Sequence, residues 1–232
     1  MILADITQDL YLNFIKEDRY MWLLDGLKTT LLITFFAAIL GIILGFIVAI
    51  IRSTHDKSGH FKILNAVCRV YLTVIRGTPT MIQLLIMNFL IFGSVSLDKV
   101  IVGSLAFGIN SGAYVAEIVR SGIMSIDPGQ TEAGRSLGLN FTQTMKLIIM
   151  PQAFKNVLPA LVNEFIVLLK ETSIIGYIGM MDLTKGAMLI QSRTYNAFLP
   201  LIAAALIYLA LVMFLTFLMN KIERRLRTNE RK

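Results

Sequence analysis

Residues 127–151 read DPGQTEAGRSLGLNFTQTMKLIIMP, and this polar stretch interrupts a chain that is otherwise strongly apolar. Segments hydrophobic enough to cross a membrane lie on both sides of it. Its first half carries charged residues and glycines at a spacing that favours a short helix. We interpret the stretch as a charged helix held between two membrane spans, through which a component outside the bilayer can push on those spans.

The composition is typical of an integral membrane protein. Of 232 residues, 56% are hydrophobic and only 16% are charged, whereas soluble domains have about 25% charged residues. The mean hydropathy is +0.70. Basic residues at span ends account for the formal charge of +7, as the positive-inside rule predicts, so nucleic acid is not expected as a partner. The single cysteine, Cys68, excludes an internal disulfide and a paired-cysteine metal site.

About 20 consecutive apolar residues are needed for a helix to cross a bilayer. The chain is therefore predicted to be one transmembrane domain over residues 1–232, all-α, with five transmembrane helices. The predicted spans are approximately 27–51, 63–93, 100–118, 157–177 and 198–219. The second is expected to break at Thr78-Pro79, because proline disfavours helix at the preceding residue. Basic residues collect in the loop after the first span, in 127–151 and at the C-terminus, which predicts an outside N-terminus and a cytoplasmic C-terminus.

Two helix-start signals lie within the polar stretch. Asp127 is expected to cap a helix that begins with proline, and Gln130, three residues on, to reach back to that cap. Gly138 is a natural end for this helix. A second pair of the same kind, Asn140 and Gln143, follows it. A solvated loop between spans is the alternative interpretation, and local signals alone leave it open.

Polar side chains also recur inside two of the predicted spans. Asn110, Tyr114 and Glu117 lie at i, i+4 and i+7, so they share one helical face, and Glu164 and Glu171 lie seven residues apart. An ionisable group within a span costs about 2.5–3.5 kcal/mol on insertion scales, so such groups usually face a pathway or a partner. Carboxylates complement the α-ammonium group that every amino acid carries. The pattern predicts a polar amino acid, basic ones included, as the substrate.

The alternative for these carboxylates is structural. Glu117 lies close to Arg120 and to the predicted cytoplasmic end, which favours an interfacial ion pair or a gate element. Glu171 follows Lys170 and can be paired locally. Glu164 has no basic neighbour within one turn, which favours a substrate contact.

The polar stretch resembles the "EAA loop" in the permeases of ABC importers. The resemblance rests on the spacing of Glu132-Ala133-Gly134, Gly138, Ile148 and Pro151. The family has Ala where this chain has Gly134, and Leu where it has Met150; both changes are small. The resemblance covers nearly the whole chain and includes Arg76-Gly77-Thr78-Pro79, the segment from Asn110 to Glu117, Pro159 to Phe165 and Leu169 to Ser173. The combination points to the polar amino acid branch, the histidine- and glutamine-type permeases.

This resemblance implies a cytoplasmic coupling helix seated in a cleft of a separate ATPase subunit. The residues expected in coupling are Glu132, Ala133, Gly134, Gly138 and Pro151. The residues expected to bind substrate are Asn110, Ser111, Tyr114, Glu164, Glu171 and Thr78. No catalytic residue and no metal ligand is expected.

The energy source is expected to lie in another subunit. The sequence contains no G-x-x-x-x-G-K-[ST] phosphate loop, so ATP-Mg must be bound by a partner, and the chain is expected to be a transporter without a cofactor of its own. The resemblance further implies two ATPase copies, a second permease (identical or homologous), an extracytoplasmic solute-binding protein and a bacterial cell membrane. The alternatives from other classes are an ion-coupled transporter or channel subunit that uses Glu117 and Glu164, and a membrane scaffold.

Overall fold

The computed structural model describes residues 7–228, without the side chains at 57, 58 and 222–228. Helices account for most of this part of the chain, and no β-strand occurs in it. The helices are α1 (Tyr20–Ser58), α2 (Lys62–Gly77), α3 (Thr80–Ile86), α4 (Lys99–Met124), α5 (Pro128–Ser136), α6 (Phe141–Thr144), α7 (Met150–Glu171), α8 (Leu183–Thr194) and α9 (Phe198–Thr228). The all-α fold class is confirmed for the described residues.

Shorter helical turns join or precede these elements. π-helical turns occupy Tyr11–Ile15, Met87–Ile91 and Met145–Ile149, and 3₁₀ turns occupy Lys16–Asp18 and Thr172–Ile178. The basic side chains from residue 222 onward, on which part of the orientation prediction rests, lie outside the described residues.

Several helices have the length and composition of membrane spans. Within residues 7–228, three helices are long and apolar enough to cross a membrane on their own: Tyr20–Asp56, Lys99–Met124 and Phe198–Lys221. The helices Lys62–Gly77 and Thr80–Ile91 meet this criterion only as a pair, with a bend of 108° between them. Counting the pair as one span raises the number of candidate spans to four. α7, which contains Lys155, Asn163 and Glu164, is not among them. Five crossings and the orientation of the termini therefore stay predictions.

The predicted break at Thr78-Pro79 is confirmed. α2 ends at Gly77, and Thr78 has the extended conformation (φ −124°, ψ 147°) that a following proline favours. The chain turns sharply at this point before α3 begins at Thr80.

The predicted spans 27–51 and 63–93 leave residues 52–62 as a polar loop, and this prediction is wrong for residues 52–58. α1 continues through these residues to Ser58. Arg52 and Asp56 lie one turn apart on this extension, and each forms an ion pair with α4. These contacts stabilise a helix that the local polarity alone would end.

The chain divides into two compact units. Unit 1 contains the residues up to Ala37, Thr80–Phe107 and Ile166–Phe217; unit 2 contains Ala38–Pro79, Gly108–Phe165 and the residues from Leu218 onward. The whole polar stretch 127–151 and all predicted substrate residues except Glu171 fall in unit 2.

Unit 1 is held together around α8. Its buried core contains Leu23, Leu183, Ala187, Ile190 and Ala204. Close backbone packing supports it: Gly26 lies against the backbone of Asp182, where a Cβ would collide with the carbonyl group.

Asp182 is a structural residue of unit 1. Its carboxylate caps α8 by accepting hydrogen bonds from the backbone N–H of Thr184 (3.1 Å) and of Lys185 (3.0 Å). The side chain is fully buried, and this burial raises the pKa of the Asp182 carboxyl above its ordinary value, while the backbone hydrogen bonds act to lower it.

Unit 2 is built on close contact between α1 and α4. A Cβ at Gly45 would collide with Val115 on α4, and a Cβ at Gly41 would lie 3.1 Å from the Cβ of Ser111. Gly41 and Gly45 lie four residues apart, and this small-xxx-small pattern packs against a neighbouring helix. Around this contact lie two buried clusters: Val48, Cys68, Leu72, Ala113 and Ala116; and Ala49, Val115, Val119, Ile123, Ile149, Ala153 and Val157.

Candidate functional site

The first part of the candidate site is a hydrogen bond between α4 and α7. Ser111 Oγ donates to Glu164 Oε1 at 2.8 Å. Ser111 is buried, and Glu164 is half-buried. The hydrogen bond joins two of the residues that are predicted to bind substrate, both in unit 2. Asn110, the neighbour of Ser111, is also buried, with 1% of its surface exposed.

One turn further along α4, Tyr114 lies beneath an arginine. The guanidinium carbon of Arg76, near the end of α2, is 5.6 Å from the centre of the Tyr114 ring. This distance is within the range of a cation–π contact. Tyr114 itself is partly exposed.

Glu117, on the next turn of α4, is shared by two arginines. Arg52 Nη1 on α1 lies 2.6 Å from Glu117 Oε1, and Arg76 Nη1 lies 3.8 Å from the same oxygen. The expected ion pair of Glu117 is therefore present, but its partner is Arg52 and not Arg120. Arg120 instead donates to Asp56 Oδ2 at 2.9 Å.

We refer to Gly41, Gly45, Arg52 and Asp56 on α1, together with the α4 residues that they contact, as the α1–α4 seam. The seam has glycine contacts at one end and two ion pairs at the other. Ion pairs between partly buried side chains are screened less than surface pairs, so they hold the two helices in one register.

Two other predicted substrate residues, Thr78 and Glu171, are not members of the Ser111–Glu164 hydrogen bond. Thr78 is exposed between α2 and α3, and its hydroxyl donates to the carbonyl of Val74 at 2.8 Å. Glu171 is the last residue of α7 and belongs to unit 1. Their assignment to a substrate site stays a prediction.

The second part of the candidate site is the polar stretch 127–151, which we call the coupling segment. Asp127 caps α5 by accepting from the N–H of Gly129 at 2.7 Å, as predicted. Gln130 does not reach back to this cap; its side-chain oxygen instead accepts from Gln152 Nε2 at 3.2 Å, because the start of α7 lies beside it. The helix ends at Gly138, whose φ of +80° is the left-handed conformation that glycine adopts freely.

The C-terminus of α5 is closed by two backbone hydrogen bonds. The N–H of Leu139 donates to the carbonyl of Gly134, and that of Gly138 donates to the carbonyl of Arg135. This is the Schellman arrangement for a helix end. Asn140 and Gln143 then form the predicted capping box, each side chain accepting from the other residue's backbone N–H at 2.9 Å.

The coupling segment presents a mixed surface. Glu132, Ala133, Gly138 and Pro151 are exposed. Large apolar side chains are exposed beside them, namely Leu137 (78% exposed), Phe141, Leu147 and Phe154. A groove of about 680 Å³ runs along the segment and is lined by Ile123, Met124, Ile126, Pro128, Thr131, Glu132, Arg135, Leu139, Asn140, Phe141 and Thr144.

Gly134 differs from the other predicted coupling residues because it is buried. A Cβ at this position would lie 2.7 Å from Thr144 Cγ2 and 2.9 Å from Thr144 Oγ1. Gly134 therefore lets α5 pack closely on the segment that follows it. This contact gives a physical reason for glycine where the family has alanine.

Arg52, Arg76 and Asp56 were missed as site residues. Arg52 and Asp56 fell in the loop expected after the first span, although their spacing of four residues continues the helical period of α1. Arg76 was considered only as part of the motif Arg76-Gly77-Thr78-Pro79 at the predicted break. If residues 52–58 had been treated as helix, Arg52 and Asp56 would have been seen to carry a positive and a negative charge one turn apart. These charges are opposite in sign to those of Glu117 and Arg120, respectively.

The fold and these features define a family. Residues 41–228 match the family described as "Binding-protein-dependent transport system inner membrane component". The match covers well over half of the chain, and the chain belongs to this family. It is accordingly a membrane-spanning component of a transport system and not an enzyme, and it resides in the inner membrane of a bacterial cell.

Two individual relatives indicate the kind of transport system within this family. The chain is 40% identical over 211 residues to the arginine transport system permease protein ArtQ of Bacillus subtilis (strain 168), covering 90% of this chain and 94% of the relative. It is 34% identical over 208 residues to the glutamine transport system permease protein GlnP of Escherichia coli (strain K12), covering 88% and 93%. These relatives are permease subunits of amino acid transport systems.

Solved structures agree with the sequence comparison. The crystal structure of an amino acid ABC transporter with histidines matches with a TM-score of 0.83 and 42% identity, over 91% of this chain and 98% of the other. An inward-facing structure of the MetNI methionine ABC transporter matches with a TM-score of 0.74 at 21% identity, which supports the fold alone. The prediction of an ABC importer permease of the amino acid branch is confirmed.

Proposed function

We propose that this chain forms the translocation pathway for polar amino acids, basic ones included, in an importer driven by a separate ATPase. The observation that carries the substrate class is the half-buried carboxylate of Glu164, held by Ser111 at 2.8 Å. A carboxylate in this setting complements a cationic group, and a charge-assisted hydrogen bond to an ammonium or guanidinium is among the stronger polar contacts. The arginine and glutamine permeases among the relatives support the same class.

The proposed substrate site consists of Ser111, Glu164 and Tyr114. Ser111 and Glu164 lie at facing positions of α4 and α7 within unit 2, and the partly exposed Tyr114, three residues after Ser111 on α4, supplies a ring surface. The proposal includes three further residues that would contact the substrate once it is bound: Asn110, Thr78 and Glu171.

The proposed energy input enters through the coupling segment. The exposed side chains of Glu132, Ala133 and Leu137 form a surface of acidic and apolar character on a short helix that is closed at both ends. Such a rigid element can transmit a displacement, because its hydrogen bonds do not depend on the docked partner. Gly138 lies just past its end, and Pro151 is the second residue of α7. ATP-Mg would be bound entirely by the partner.

The proposed assembly contains two ATPase copies and a second permease, identical or homologous. An extracytoplasmic solute-binding protein would deliver the amino acid. Exposed apolar surface on α1, α3 and α9 would face lipid or the second permease.

Reconstitution tests the proposal. The chain would be co-expressed with candidate ATPase and solute-binding subunits, placed in liposomes, and assayed for ATP hydrolysis and uptake with each amino acid. We expect uptake to require ATP and to be stimulated by polar amino acids. The variant Glu164→Gln should lose uptake of cationic amino acids at least tenfold, since the loss of a charged hydrogen bond removes about 1.5–3 kcal/mol.

The matched control is Asn163→Asp, which adds a carboxylate at the exposed neighbouring position of α7. It should leave the substrate preference unchanged. Uptake without any ATPase would contradict the proposal and support an ion-coupled transporter. Uptake that is insensitive to Glu164→Gln would contradict the proposed substrate site alone.

A further inference from the structure

Glu117 has two arginine partners, and the two contacts are unequal. The Arg52 contact is 2.6 Å long, and its side chains are 17% and 29% exposed. The Arg76 contact is 3.8 Å long, and the Arg76 side chain is 44% exposed. Arg52 alone neutralises Glu117, so Arg76 can leave this carboxylate without stranding a charge.

We infer that Arg76 binds the α-carboxylate of the transported amino acid. The inference rests on the proposed function, because it completes the site formed by Ser111, Tyr114 and Glu164. It assigns the anionic half of a zwitterionic substrate to a residue near the end of α2, at the sharp turn before α3.

The position of Arg76 suits this role. Its guanidinium lies over the ring of Tyr114, with 5.6 Å between the guanidinium carbon and the ring centre. Tyr114 follows Ser111 by three residues on α4, so the two side chains lie on adjacent turns of one face. Ser111 in turn holds Glu164. Arg76 is thus placed beside Tyr114 and Glu164 beside Ser111, so a cation and an anion contact adjacent turns of α4.

The chemistry of the guanidinium also suits a carboxylate. Its planar fork can donate two parallel hydrogen bonds to the two carboxylate oxygens, and stacking on an aromatic ring leaves that fork free. Glu164 would then accept from the ammonium group or from a cationic side chain.

The other arginines near the seam are less suited. Arg52 is held at 2.6 Å by Glu117, and Arg120 is held at 2.9 Å by Asp56. Binding of substrate by either would break a short ion pair. The longer Arg76 contact to Glu117 can instead be exchanged for a contact to the incoming carboxylate.

An amino acid and its counterpart without a carboxylate distinguish this role from a structural one. The permease–ATPase complex would be titrated with L-arginine and agmatine, with L-histidine and histamine, and with L-glutamine and glutaminol. Wild type should bind the acids at least tenfold more tightly than their counterparts, the size expected for a charged hydrogen bond. In Arg76→Gln this ratio should fall close to one, while binding of agmatine, histamine or glutaminol changes little.

Three controls make the outcome decisive. Arg69→Gln, at an exposed position two turns earlier on α2, should keep the wild-type ratio. Arg76→Lys should restore part of the ratio, because an ammonium supplies the charge without the fork. Arg52→Gln should weaken binding of the acids, because Glu117 would then hold Arg76 more tightly.

The possible results separate the two proposals. If wild type binds none of the three amino acids, the proposed function fails. If wild type binds an amino acid and Arg76→Gln weakens the acid and its counterpart equally, or weakens neither, the role of Arg76 is overturned and the proposed function stands.

Discussion

The coupling segment and the α1–α4 seam both belong to unit 2, but they are stabilised in opposite ways. In the coupling segment, hydrogen bonds join residues a few positions apart, such as Asn140 and Gln143. In the seam, contacts join residues about 65 positions apart, such as Arg52 and Glu117. The segment is exposed and presents side chains outward, whereas the seam is tightly packed. The comparison shows one element built for docking and another built to hold two helices in register.

The difference should be largest in response to an added methyl group. Gly45→Ala places a Cβ against Val115, so the seam must open, and we expect a loss of about 1–3 kcal/mol in unfolding free energy. Gly77→Ala is the matched control, since a Cβ there meets nothing within 4 Å; its stability should change by less than about 0.5 kcal/mol. Thermal unfolding in detergent measures both. Equal effects would show that α1 and α4 are not in close contact.

Removing one member of the buried ion pair should have the next largest effect. Arg52→Ala leaves Glu117 with only the distant Arg76, and we expect a loss of about 2 kcal/mol, between the values for exposed and buried pairs. Arg69→Ala, at an exposed position on α2, should change stability by less than about 0.5 kcal/mol. Binding of the ATPase by Arg52→Ala should be retained, because the coupling segment is locally stabilised. If Arg52→Ala lost ATPase binding while its unfolding free energy stayed the same, the seam and not the coupling segment would be the docking element.

Loss of a helix cap should act on the coupling segment alone. Asp127→Ala removes the acceptor for the N–H of Gly129, and such a change costs about 1 kcal/mol. Amide hydrogen exchange should accelerate over 128–136, while protection in α1 and α4 stays the same. Faster exchange throughout unit 2 would mean that the segment is not an independent element.

An effect no larger than the loss of the cap is expected where this chain departs from its family. Gly134→Ala forces Thr144 to move, since a Cβ would lie 2.7 Å from Thr144 Cγ2, and we expect a loss of about 1 kcal/mol. Adding Thr144→Ala should recover much of this loss, because it removes both crowding atoms. A double-mutant cycle on thermal unfolding measures the coupling. Additive losses would show that the two residues do not touch.

The same contrast explains what could be predicted from the sequence. The caps at Asp127 and Asn140 and the glycine end at Gly138 depend on near neighbours, and all three were predicted correctly. The break at Thr78-Pro79 is also local, because proline acts on the residue before it.

The predictions that failed depend on contacts between distant residues. Nothing near Arg52 in the sequence indicates Glu117 as its partner, and Arg120 was the nearer candidate in sequence for that carboxylate. The side chain of Gln130 accepts a hydrogen bond from Gln152, 22 residues further on, instead of bonding to the cap. The burial of Gly134 likewise depends on Thr144. Contacts between distant residues therefore decided the α1–α4 seam and the packing of Gln130 and Gly134, whereas local chemistry decided the caps and the glycine end of the coupling segment.

The most direct test of the central claim uses a cysteine on the exposed face of α5. Ala133→Cys would be labelled with a membrane-impermeant maleimide in inside-out vesicles, with and without the ATPase; the native Cys68 is buried and should give little background. We expect the cysteine at 133 to react readily in the free chain and at least tenfold more slowly when the ATPase is bound. Labelling at the same rate with and without the ATPase, or only from the extracytoplasmic side, would contradict the account.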